Sequence, residues 1–562
     1  MPSLVTKSSE VLVFIGAGAT ASLGMPTTDA QSQLLRKLIN KDTDISKILL
    51  EYGFYDAERR NMLTAFLEFS GGIANNDFNT ITPKDIRNAK IAFAIGDSSV
   101  IDNLLKRRIL ELRQKYDWMA LREVLKICPL NETKDNLIRD AYTLLDKKIS
   151  SQQGLKIPSS HNAEQAEVLS CSRLIAARSM LTLLISILFA EAWQKICDGD
   201  KPEAFAKYEK FADTFSKMMQ RESSKFEKYP KEEHSFLLFS TSFISFNFEM
   251  IFLWLLYIKN RERNEELFYL KSANRMSQWL DFGCLHKRRP VKANPDRHQS
   301  GVFGTTFDET SAARLNASDV SNAKFARVGK FLFAHGSSAW RECPACGRMM
   351  FYQGDEWKLK SKTLNPPFPI PLYNDFTRTP KEQEWENQLK YDSLECLACG
   401  AETSAADSPM VMQSLYKGSP TSFIEEIQRE VKVALDAARH IVLLGYSFPI
   451  DDVVWQQVFA EAVRYRAETT QAAYCSIVVG TKGPQHWIYS EELQEYLSKH
   501  RHNENADSYG VTAIENAIAI FGKDKVRAYT GGIPQVFGDA DESAVNQLLY
   551  PQNFVRWDET RI

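Results

Sequence analysis

Four of the nine cysteines stand in two C-x-x-C pairs, a spacing typical of metal sites. Cys343 and Cys346 form the first pair, Cys396 and Cys399 form the second, and a glycine follows each pair. Four thiolates would complete the tetrahedral coordination of Zn²⁺ and leave no position for substrate or water, so the pattern predicts a structural zinc. The 49 intervening residues, 347–395, exceed a compact zinc ribbon. Four reduced thiols without metal are the alternative.

A second stretch has the residue types of a phosphate site. It reads GAGATASLGMP from Gly16 to Pro26 and directly follows an apolar run, residues 11–15. Glycines let the backbone approach a pyrophosphate, and the N-terminus of a following helix would offer N–H donors to the anion. The third glycine comes six residues after the second, so the stretch is not the dinucleotide fingerprint G-x-G-x-x-G. A structural tight turn without ligand is the alternative.

The elements that must position these residues follow from the periodicity of the chain. Short β-branched and aromatic runs predict strands, and longer stretches with helical spacing lie between them. Strands that alternate with helices indicate an α/β fold with a mainly parallel sheet. We expect strands at 11–15, 235–247, 329–336, 440–447 and 472–480, and helices at 28–39, 248–261, 423–439 and 452–468.

Residues 41–235 have a different pattern and are predicted to be helical and rich in charge. Amphipathic spacing covers 101–127, and a more apolar helix is expected at 174–197. The apolar run 180–193 is interrupted by Glu191 and is too short to span a bilayer, which predicts a buried helix. The first ten residues lack the apolar core of a secretory signal, so we expect a cytoplasmic protein without a membrane segment.

Composition and net charge limit the classes of partner that the chain is expected to bind. The chain has 562 residues, of which 44% are apolar and 25% charged, and this length allows two to four globular domains. Lys and Arg number 69 against 71 Asp and Glu, so the formal charge of −2 supplies no overall field for nucleic acid or an anionic membrane. A basic stretch at 286–298 could contact phosphates, but a solvated loop is the preferred interpretation.

The order of four short motifs along the chain resembles that of the sirtuin (silent information regulator) family. The family has a glycine loop, an Asn with an acid two positions later, a His-Gly pair before a zinc-binding C-x-x-C, and a late Gly-x-Ser turn. The resemblance extends from 11 to about 480, but most of 41–235 and 262–325 has no counterpart. The matching segments are Gly16 to Pro26, Asn247 with Glu249 in place of the family's usual Asp, His335 with Gly336, and Gly445 with Ser447.

The resemblance implies roles for these residues. His335 would be a base that accepts a proton from a ribose hydroxyl or from water, and Asn247 would orient the ribose and that water. Imidazole suits the task because its unperturbed pKa lies near neutrality. Taken alone, a histidine at a strand end is more often structural. The resemblance implies NAD binding by Gly16, Ala17, Gly18, Thr20, Gly24, Pro26, Asn247, Gly445 and Ser447.

Three acids lie near these motifs, and their interpretations differ. Glu249 would hydrogen-bond the loop that carries Asn247, or it would be a solvent-facing acid at a helix N-terminus. Asp451 and Asp452 follow the Gly-x-Ser turn, and capping of the next helix is sufficient to explain them. No catalytic role is predicted for either aspartate.

The reaction depends on the branch of the family. Protein-deacylating sirtuins continue the glycine loop with Asp-Phe-Arg, whereas this chain has Thr27-Thr28-Asp29, and their Phe-Gly-Glu element is absent from 409–418. The chain looks instead like prokaryotic sirtuin-like proteins that hydrolyse NAD to nicotinamide and ADP-ribose, many of them anti-phage defence effectors. The cysteine pairs, usual in deacylases, argue the other way. An NAD-dependent deacylase or ADP-ribosyl transferase, and a non-catalytic NAD or ADP-ribose sensing module, are the alternatives.

The motif order also predicts the domain organisation. A Rossmann-like catalytic core of sirtuin type would comprise 1–40, 236–340 and 403–530. A helical insertion would occupy 41–235, a small zinc-ribbon module 341–402, and a C-terminal extension 531–562. NAD would be the principal ligand and Zn²⁺ a structural ion, and the insertion would serve a homo-oligomer or an activating partner.

Overall fold

The structure is a computed structural model. It describes residues 10–39, 44–70, 80–93, 102–128, 137–158, 166–197, 199, 201–224, 241–269, 276–281, 324–338, 340–342, 349–351, 394–395, 402–403, 409–417, 420–449, 452–469, 473–480, 483–500 and 508–551. The basic stretch 286–298 and all four C-x-x-C cysteines lie outside these ranges.

Strands and helices are numbered in chain order. The strands are β1 (Val11–Ile15), β2 (Leu155–Pro158), β3 (Ala166–Leu169), β4 (Thr241–Ser245), β5 (Met276–Asp281), β6 (Lys324–Phe333), β7 (Trp340–Glu342), β8 (Met349–Phe351), β9 (Leu394–Glu395), β10 (Glu402–Thr403), β11 (His440–Leu444), β12 (Tyr474–Val478), β13 (Trp487–Tyr489) and β14 (Val526–Tyr529). The helices are α1 (Thr28–Leu38), α2 (Ile45–Glu51), α3 (Ala57–Phe69), α4 (Pro83–Ala92), α5 (Asp102–Lys115), α6 (Trp118–Ile127), α7 (Leu137–Ser150), α8 (Cys171–Cys197), α9 (Ala204–Ser224), α10 (Ile251–Tyr269), α11 (Ser422–Ala437), α12 (Val453–Thr469), α13 (Ser490–His500), α14 (Ser508–Phe521) and α15 (Glu542–Leu549).

An eight-stranded sheet is the centre of the fold, in the order β13-β14-β12-β11-β1-β4-β6-β5. Seven of these strands are parallel, and β13 pairs antiparallel with β14 at one edge. Strand β1 lies between β11 and β4, with Val13 opposite Val442 and Phe243. Its five apolar residues are all buried, as expected for a parallel strand covered on both faces. The predicted α/β fold with a mainly parallel sheet is confirmed.

Most predicted elements agree with the structure within a few residues, and two differ for local reasons. The helix expected from 248 begins only at Ile251, because the Glu249 carboxylate accepts a hydrogen bond from the Ile251 N–H at 2.7 Å and fixes the start there. The strand expected at 329–336 starts earlier, because β6 runs from Lys324 to Phe333.

Two hydrophobic cores are present among the described residues. The first surrounds the central sheet and includes residues of α9 to α12 and of the C-terminal helix α15. The second is formed by α1 to α8 together with strands β2 and β3, so the predicted helical insertion also contains an antiparallel strand pair. Phe248, just after β4, belongs to the second core. The helices of the insertion therefore pack directly against the segment that carries Asn247.

One described helix, Cys171–Ile196 within α8, is long and apolar enough to cross a membrane. In its most apolar window 67% of the residues are buried inside the protein, which is the pattern of a core helix in a soluble protein. Its one acid in the apolar run, Glu191, is buried and lies 3.1 Å from Arg59 Nε. The prediction that 180–193 is a buried helix is confirmed.

Two short strand pairs flank the cysteine motifs. Strands β7 and β8 pair antiparallel and are joined by residues 343–348, and β9 and β10 pair antiparallel and are joined by 396–401. Each connecting segment contains one C-x-x-C pair. The cysteines themselves lie outside the described residues, so the zinc site stays a prediction.

Candidate functional site

Four of the sequence motifs lie along one edge of the sheet. Gly16 follows β1, Asn247 lies two residues after β4, His335 two residues after β6, and Gly445 directly after β11. These four strands are adjacent and parallel, in the order β11-β1-β4-β6. Neighbouring strands are about 4.8 Å apart. The fold therefore brings segments that are hundreds of residues apart in sequence to the carboxyl edge of the sheet, where open α/β sheets bind ligands.

The glycine loop does not lead directly into an α-helix. Two turns of 3-10 helix, Ala17–Ala19 and Ala21–Leu23, follow β1, and α1 begins at Thr28. Thr27 caps that helix by accepting a hydrogen bond from the Ala30 N–H at 3.3 Å. The start of α1 is thus twelve positions after Gly16. The predicted start of this helix near 28 is confirmed, and Gly16 and Gly18 precede its N-terminus by about three turns of chain.

Backbone packing explains three of the predicted glycines. The N–H of Gly16 donates to Leu444 O at 2.9 Å, and that of Gly18 donates to Gly445 O at 3.1 Å. A Cβ on Gly16 would lie 2.5 Å from Gly445 O, and one on Gly445, whose φ is +59°, would lie 2.2 Å from Ala19 N. Only glycine fits where the two loops cross this closely. Gly16 and Gly445 are thus required by the fold itself, with or without a ligand, whereas a Cβ on Gly18 would lie 3.1 Å from Gly445 and is only tightly accommodated.

Asn247 is held by a buried hydrogen-bond network. Its Nδ2 lies 3.0 Å from Gly16 O, 3.3 Å from Thr20 Oγ1 and 2.9 Å from Glu249 Oε1. Thr20 Oγ1 also donates to Glu249 Oε1 at 2.8 Å. The network links the end of β4 to the glycine loop. Its donors and acceptors fix the orientation of the Asn247 amide.

Glu249 hydrogen-bonds Asn247 and also lies at the N-terminus of helix α10, but it does not face solvent. It is 4% exposed, it accepts hydrogen bonds from Thr20 and Asn247, and it accepts one from the N–H of Ile251 at the start of α10. Burial raises the pKa of this carboxyl above its usual range, although the three hydrogen bonds oppose that shift. The solvent-facing interpretation of Glu249 is wrong.

A cleft opens beside this network and has about 490 Å³ of space, its solvent-filled mouth included. The glycine loop and the start of α1 form one wall, and the segment after β4 forms another. Helices α7 and α8 of the insertion add apolar side chains, and the segment 409–417 closes a further side. The lining residues are Ala17, Thr20, Met25, Pro26, Thr28, Gln31, Ile138, Ile185, Phe189, Phe246, Asn247, Phe248, Glu249, Met412 and Gln413.

His335 lies near the cleft but does not line it. Its side chain is 6% exposed, and aromatic rings surround it, with centroid distances of 4.9 Å to Phe246, 6.5 Å to Phe248 and 6.4 Å to Trp455. Its carbonyl accepts a hydrogen bond from the Val411 N–H at 2.8 Å. Gly336, with φ +76°, permits this approach, since a Cβ there would lie 1.9 Å from Pro409 O.

The environment of His335 opposes protonation. Burial lowers the pKa of its imidazole to about 4, and the Lys417 ammonium acts in the same direction, whereas the carboxylate of Asp452 raises it. Nε2 lies 3.4 Å from Asp452 Oδ1, which is within ion-pair distance, yet Nε2 is buried without a hydrogen-bond partner. We treat the contact as electrostatic, because the alignment does not meet the requirements of a hydrogen bond.

Three residues at this site were missed by sequence reasoning. Asp452 was explained by capping of the following helix, which is wrong, because its carboxylate contacts Lys417 Nζ and accepts a hydrogen bond from Tyr446 OH at 3.2 Å. A carboxylate that follows the Gly-x-Ser turn at a strand end could have been recognised as a site residue. Lys417 and Tyr446 carry no such signal in the sequence.

The predicted residues do not all reach the cleft. Ala17, Thr20, Pro26 and Asn247 line it. Gly16, Gly18 and Gly445 lie beneath it in the crossing of the two loops. Gly24 has φ +82° with open space around it. Ser447 is partly buried in the turn after β11 and does not line the cleft.

Metal sites are a separate question. Within the described ranges, no group of three or more His, Cys, Asp or Glu side chains is placed to hold a metal ion. Cys343, Cys346, Cys396 and Cys399 are not among those residues, so this finding does not bear on them.

The sequence itself offers no family assignment beyond these motifs. No protein-family model matches the chain, and no curated protein matches it.

Proposed function

We propose that this protein is a sirtuin-like NAD⁺ glycohydrolase, which cleaves the nicotinamide–ribose bond and releases nicotinamide and ADP-ribose. The main support is the meeting of Asn247, His335 and the glycine loop at the carboxyl ends of β4, β6 and β1. This edge is where α/β sheets bind nucleotides. The motif order that resembles the sirtuins is matched in space, because the four segments that carry the motifs end at the same edge of the sheet.

The reaction needs little beyond orientation and a base. The C1′–N bond breaks through an oxocarbenium-like transition state, its electron pair passes to the pyridinium nitrogen, and nicotinamide leaves as a neutral molecule. A water oxygen forms the new bond to C1′ and gives its proton to neutral His335. Asn247, whose amide is fixed by Thr20 and Glu249, orients the ribose and the water. Since His335 lies behind Phe246, this proposal requires that ring to shift when NAD binds.

The walls of the cleft favour hydrolysis over deacylation. Ile138, Ile185 and Phe189 from the insertion and Met412 from the 409–417 segment occupy its sides. These apolar side chains belong to the chain itself and leave a compact cleft, which suits a small molecule better than an extended acyl-lysine peptide. Together with the missing deacylase elements, this supports water as the acceptor.

Further elements of the proposal rest on the sequence. We propose a cytoplasmic anti-phage defence effector that depletes NAD, with the insertion as the surface for an activating partner or a second copy. The four cysteines would hold a structural zinc, which the two flanking strand pairs fit, because each is joined by a segment with one C-x-x-C pair. We expect one zinc per chain by elemental analysis, and Cys343→Ser to remove it.

A nicotinamide-release assay tests the central proposal. Purified protein is incubated with NAD, with and without an acyl-lysine peptide, and products are separated by chromatography. We expect turnover without peptide and a loss of about 10²-fold or more in Asn247→Ala, since orientation of the reacting groups is lost. Asn88→Ala is the matched control, because Asn88 is also buried and hydrogen-bonded, to Glu68 at 2.9 Å, but lies in the second core.

The other outcomes separate the alternatives. Turnover only with peptide would identify a deacylase, and NAD binding in calorimetry without any turnover would favour the sensing module. Full activity of Asn247→Ala would show that the site is misassigned.

A further inference from the structure

We propose that Asp452 is a positioning residue for His335 and that Lys417 balances its charge. This inference rests on the proposed function, in which His335 accepts a proton. Asp452 and Lys417 are not part of the sequence motifs. In this inference they control the charge of the base, His335.

The three groups form one cluster, in which His335 and Asp452 are buried and Lys417 is partly exposed. Asp452 is 3% exposed, and its Oδ1 lies 3.4 Å from His335 Nε2 and also contacts Lys417 Nζ. Its Oδ2 accepts a hydrogen bond from Tyr446 OH at 3.2 Å. One carboxylate oxygen is therefore shared between the imidazole and the ammonium. The buried Asp452 carboxylate exerts a strong electrostatic field on these neighbours, because little water screens its charge.

The cluster is assembled from three separate segments. His335 follows β6, Tyr446 and Asp452 lie between β11 and α12, and Lys417 precedes α11. Among the described residues, Asp452 and Lys417 are the charged groups that act on His335. The remaining faces of the imidazole are covered by the uncharged rings of Phe246, Phe248 and Trp455. Besides burial and a hydrogen bond with the Phe246 backbone, the charge of the base is thus set by one anion and one cation.

Asp452 and Lys417 have opposite effects on the protonation of His335. When His335 takes a proton from water, an imidazolium forms in a buried site, and the Asp452 carboxylate stabilises it at 3.4 Å. The Lys417 ammonium opposes this charge and so weakens the base. The 409–417 segment also donates a hydrogen bond from Leu415 N to Thr143 Oγ1 on α7, at 2.9 Å. The cation that weakens the base is therefore held on a segment anchored to the insertion.

Histidine NMR tests this coupling without relying on turnover. In protein labelled with ¹³C at histidine Cε1, the His335 signal is assigned by its loss in His335→Gln, and its pKa is followed in each variant. We expect Lys417→Met to raise the pKa of His335 by about one unit and Asp452→Asn to lower it below the wild-type value, with the double variant between them. Lys259→Met is the control, since Lys259 is also partly buried and ion-paired, with Glu209 at 3.1 Å, but lies on α10.

Kinetics then separate positioning from folding. Asp452→Asn should lower kcat about tenfold or more with little change in KM, and Asp452→Glu should recover part of the loss. The acidic limb of the kcat profile should move up in pH in Lys417→Met. If Asp452→Asn does not fold, Tyr446→Phe, which removes a hydrogen bond that partly offsets the charge of the same carboxylate, should raise the pKa of His335 by a small amount.

The experiments distinguish failure of this inference from failure of the proposed function. Shifts of the His335 pKa in the same direction in Lys417→Met and Asp452→Asn, or no shift in either, would overturn the inference even if NAD is hydrolysed. Opposite shifts in a protein that never releases nicotinamide would leave the electrostatic coupling intact and contradict the proposed function.

Discussion

Two histidines are buried at opposite ends of the same sheet, and the partners of their ring nitrogens differ. His440 is the first residue of β11, at the amino edge, and His335 follows β6 at the carboxyl edge. Both are nearly inaccessible, with exposures of 0% and 6%. Burial alone therefore does not distinguish them, and the difference lies in what their ring nitrogens contact.

His440 has a partner for each nitrogen. Nδ1 lies 2.7 Å from Leu549 O and Nε2 lies 2.7 Å from Ser476 Oγ. The carbonyl can only accept, so Nδ1 carries the proton, and the Ser476 hydroxyl donates to Nε2 while it accepts from Arg527 Nε at 2.6 Å. This chain of hydrogen bonds ties helix α15 to the sheet. Burial and the nearby Arg527 lower the pKa of His440 to about 3.

His335 is satisfied on one side only. Its Nε2 has no hydrogen-bond partner and faces a carboxylate that is shared with a lysine. A buried polar atom without a partner costs stability, and a catalytic role is one explanation for such an atom. The comparison therefore favours His335, at the carboxyl edge, as the candidate base and identifies His440, at the amino edge, as a structural link.

The largest expected effect is on catalysis. We expect His335→Gln to lower kcat for NAD cleavage by about 10²- to 10⁴-fold, because the base is lost. The same replacement at His440 should leave kcat per folded molecule within about twofold of wild type. Nicotinamide release by both variants at equal folded concentration is the measurement. Equal losses in the two variants would remove the distinction between the histidines.

The second effect is on the free energy of unfolding. It should be larger for replacement of His440 than for replacement of His335. His440→Leu leaves the Leu549 carbonyl and the Ser476 hydroxyl without their partner in the core, at a cost of about 3 kcal/mol in the free energy of unfolding. His335→Leu should cost less, since Nε2 has no hydrogen bond to lose. Urea unfolding of both variants gives the comparison, and a larger loss at His335 would contradict it.

The smallest expected effect is the pH dependence. The folded-state pKa of His440 is depressed below the unfolded value of about 6.5, so the unfolded chain binds more protons as pH falls and stability is lost from about pH 6.5 downwards. Between pH 6.5 and 5 this amounts to about 2 kcal/mol for one histidine. His335 should contribute similarly. Urea unfolding at several pH values should show a shallower acid loss in His440→Gln than in wild type, and an unchanged slope would refute the assignment.

Much of the sheet follows from local sequence. Runs such as 11–15 and 440–444 are apolar and β-branched over a strand's length, and a parallel strand buried on both faces requires that composition. Helix α1 was predicted to within one residue because Thr27 and Pro26 precede an amphipathic stretch. The cysteine pairs predict a metal by spacing alone, and that prediction remains open to the metal analysis described above.

Other features depend on contacts between distant segments. No strand was predicted at 526–529, yet β14 joins the central sheet beside β12, which lies about 50 residues earlier in the chain. Asp452 resembles a helix cap from its sequence position. Its neighbours Lys417 and His335 come from other segments, and local sequence rules do not report them.

By itself the sequence determined the strand, loop and helix types, the candidate residues Asn247 and His335, and their order along the chain. Residues fix these things locally, through side-chain shape and backbone preference. Only the tertiary structure decided that Asn247 is locked by Thr20 and Glu249, and that His335 is shielded by aromatic rings and faces Asp452. Electrostatic environment depends on distance and burial in space, and neither is set by spacing along the chain.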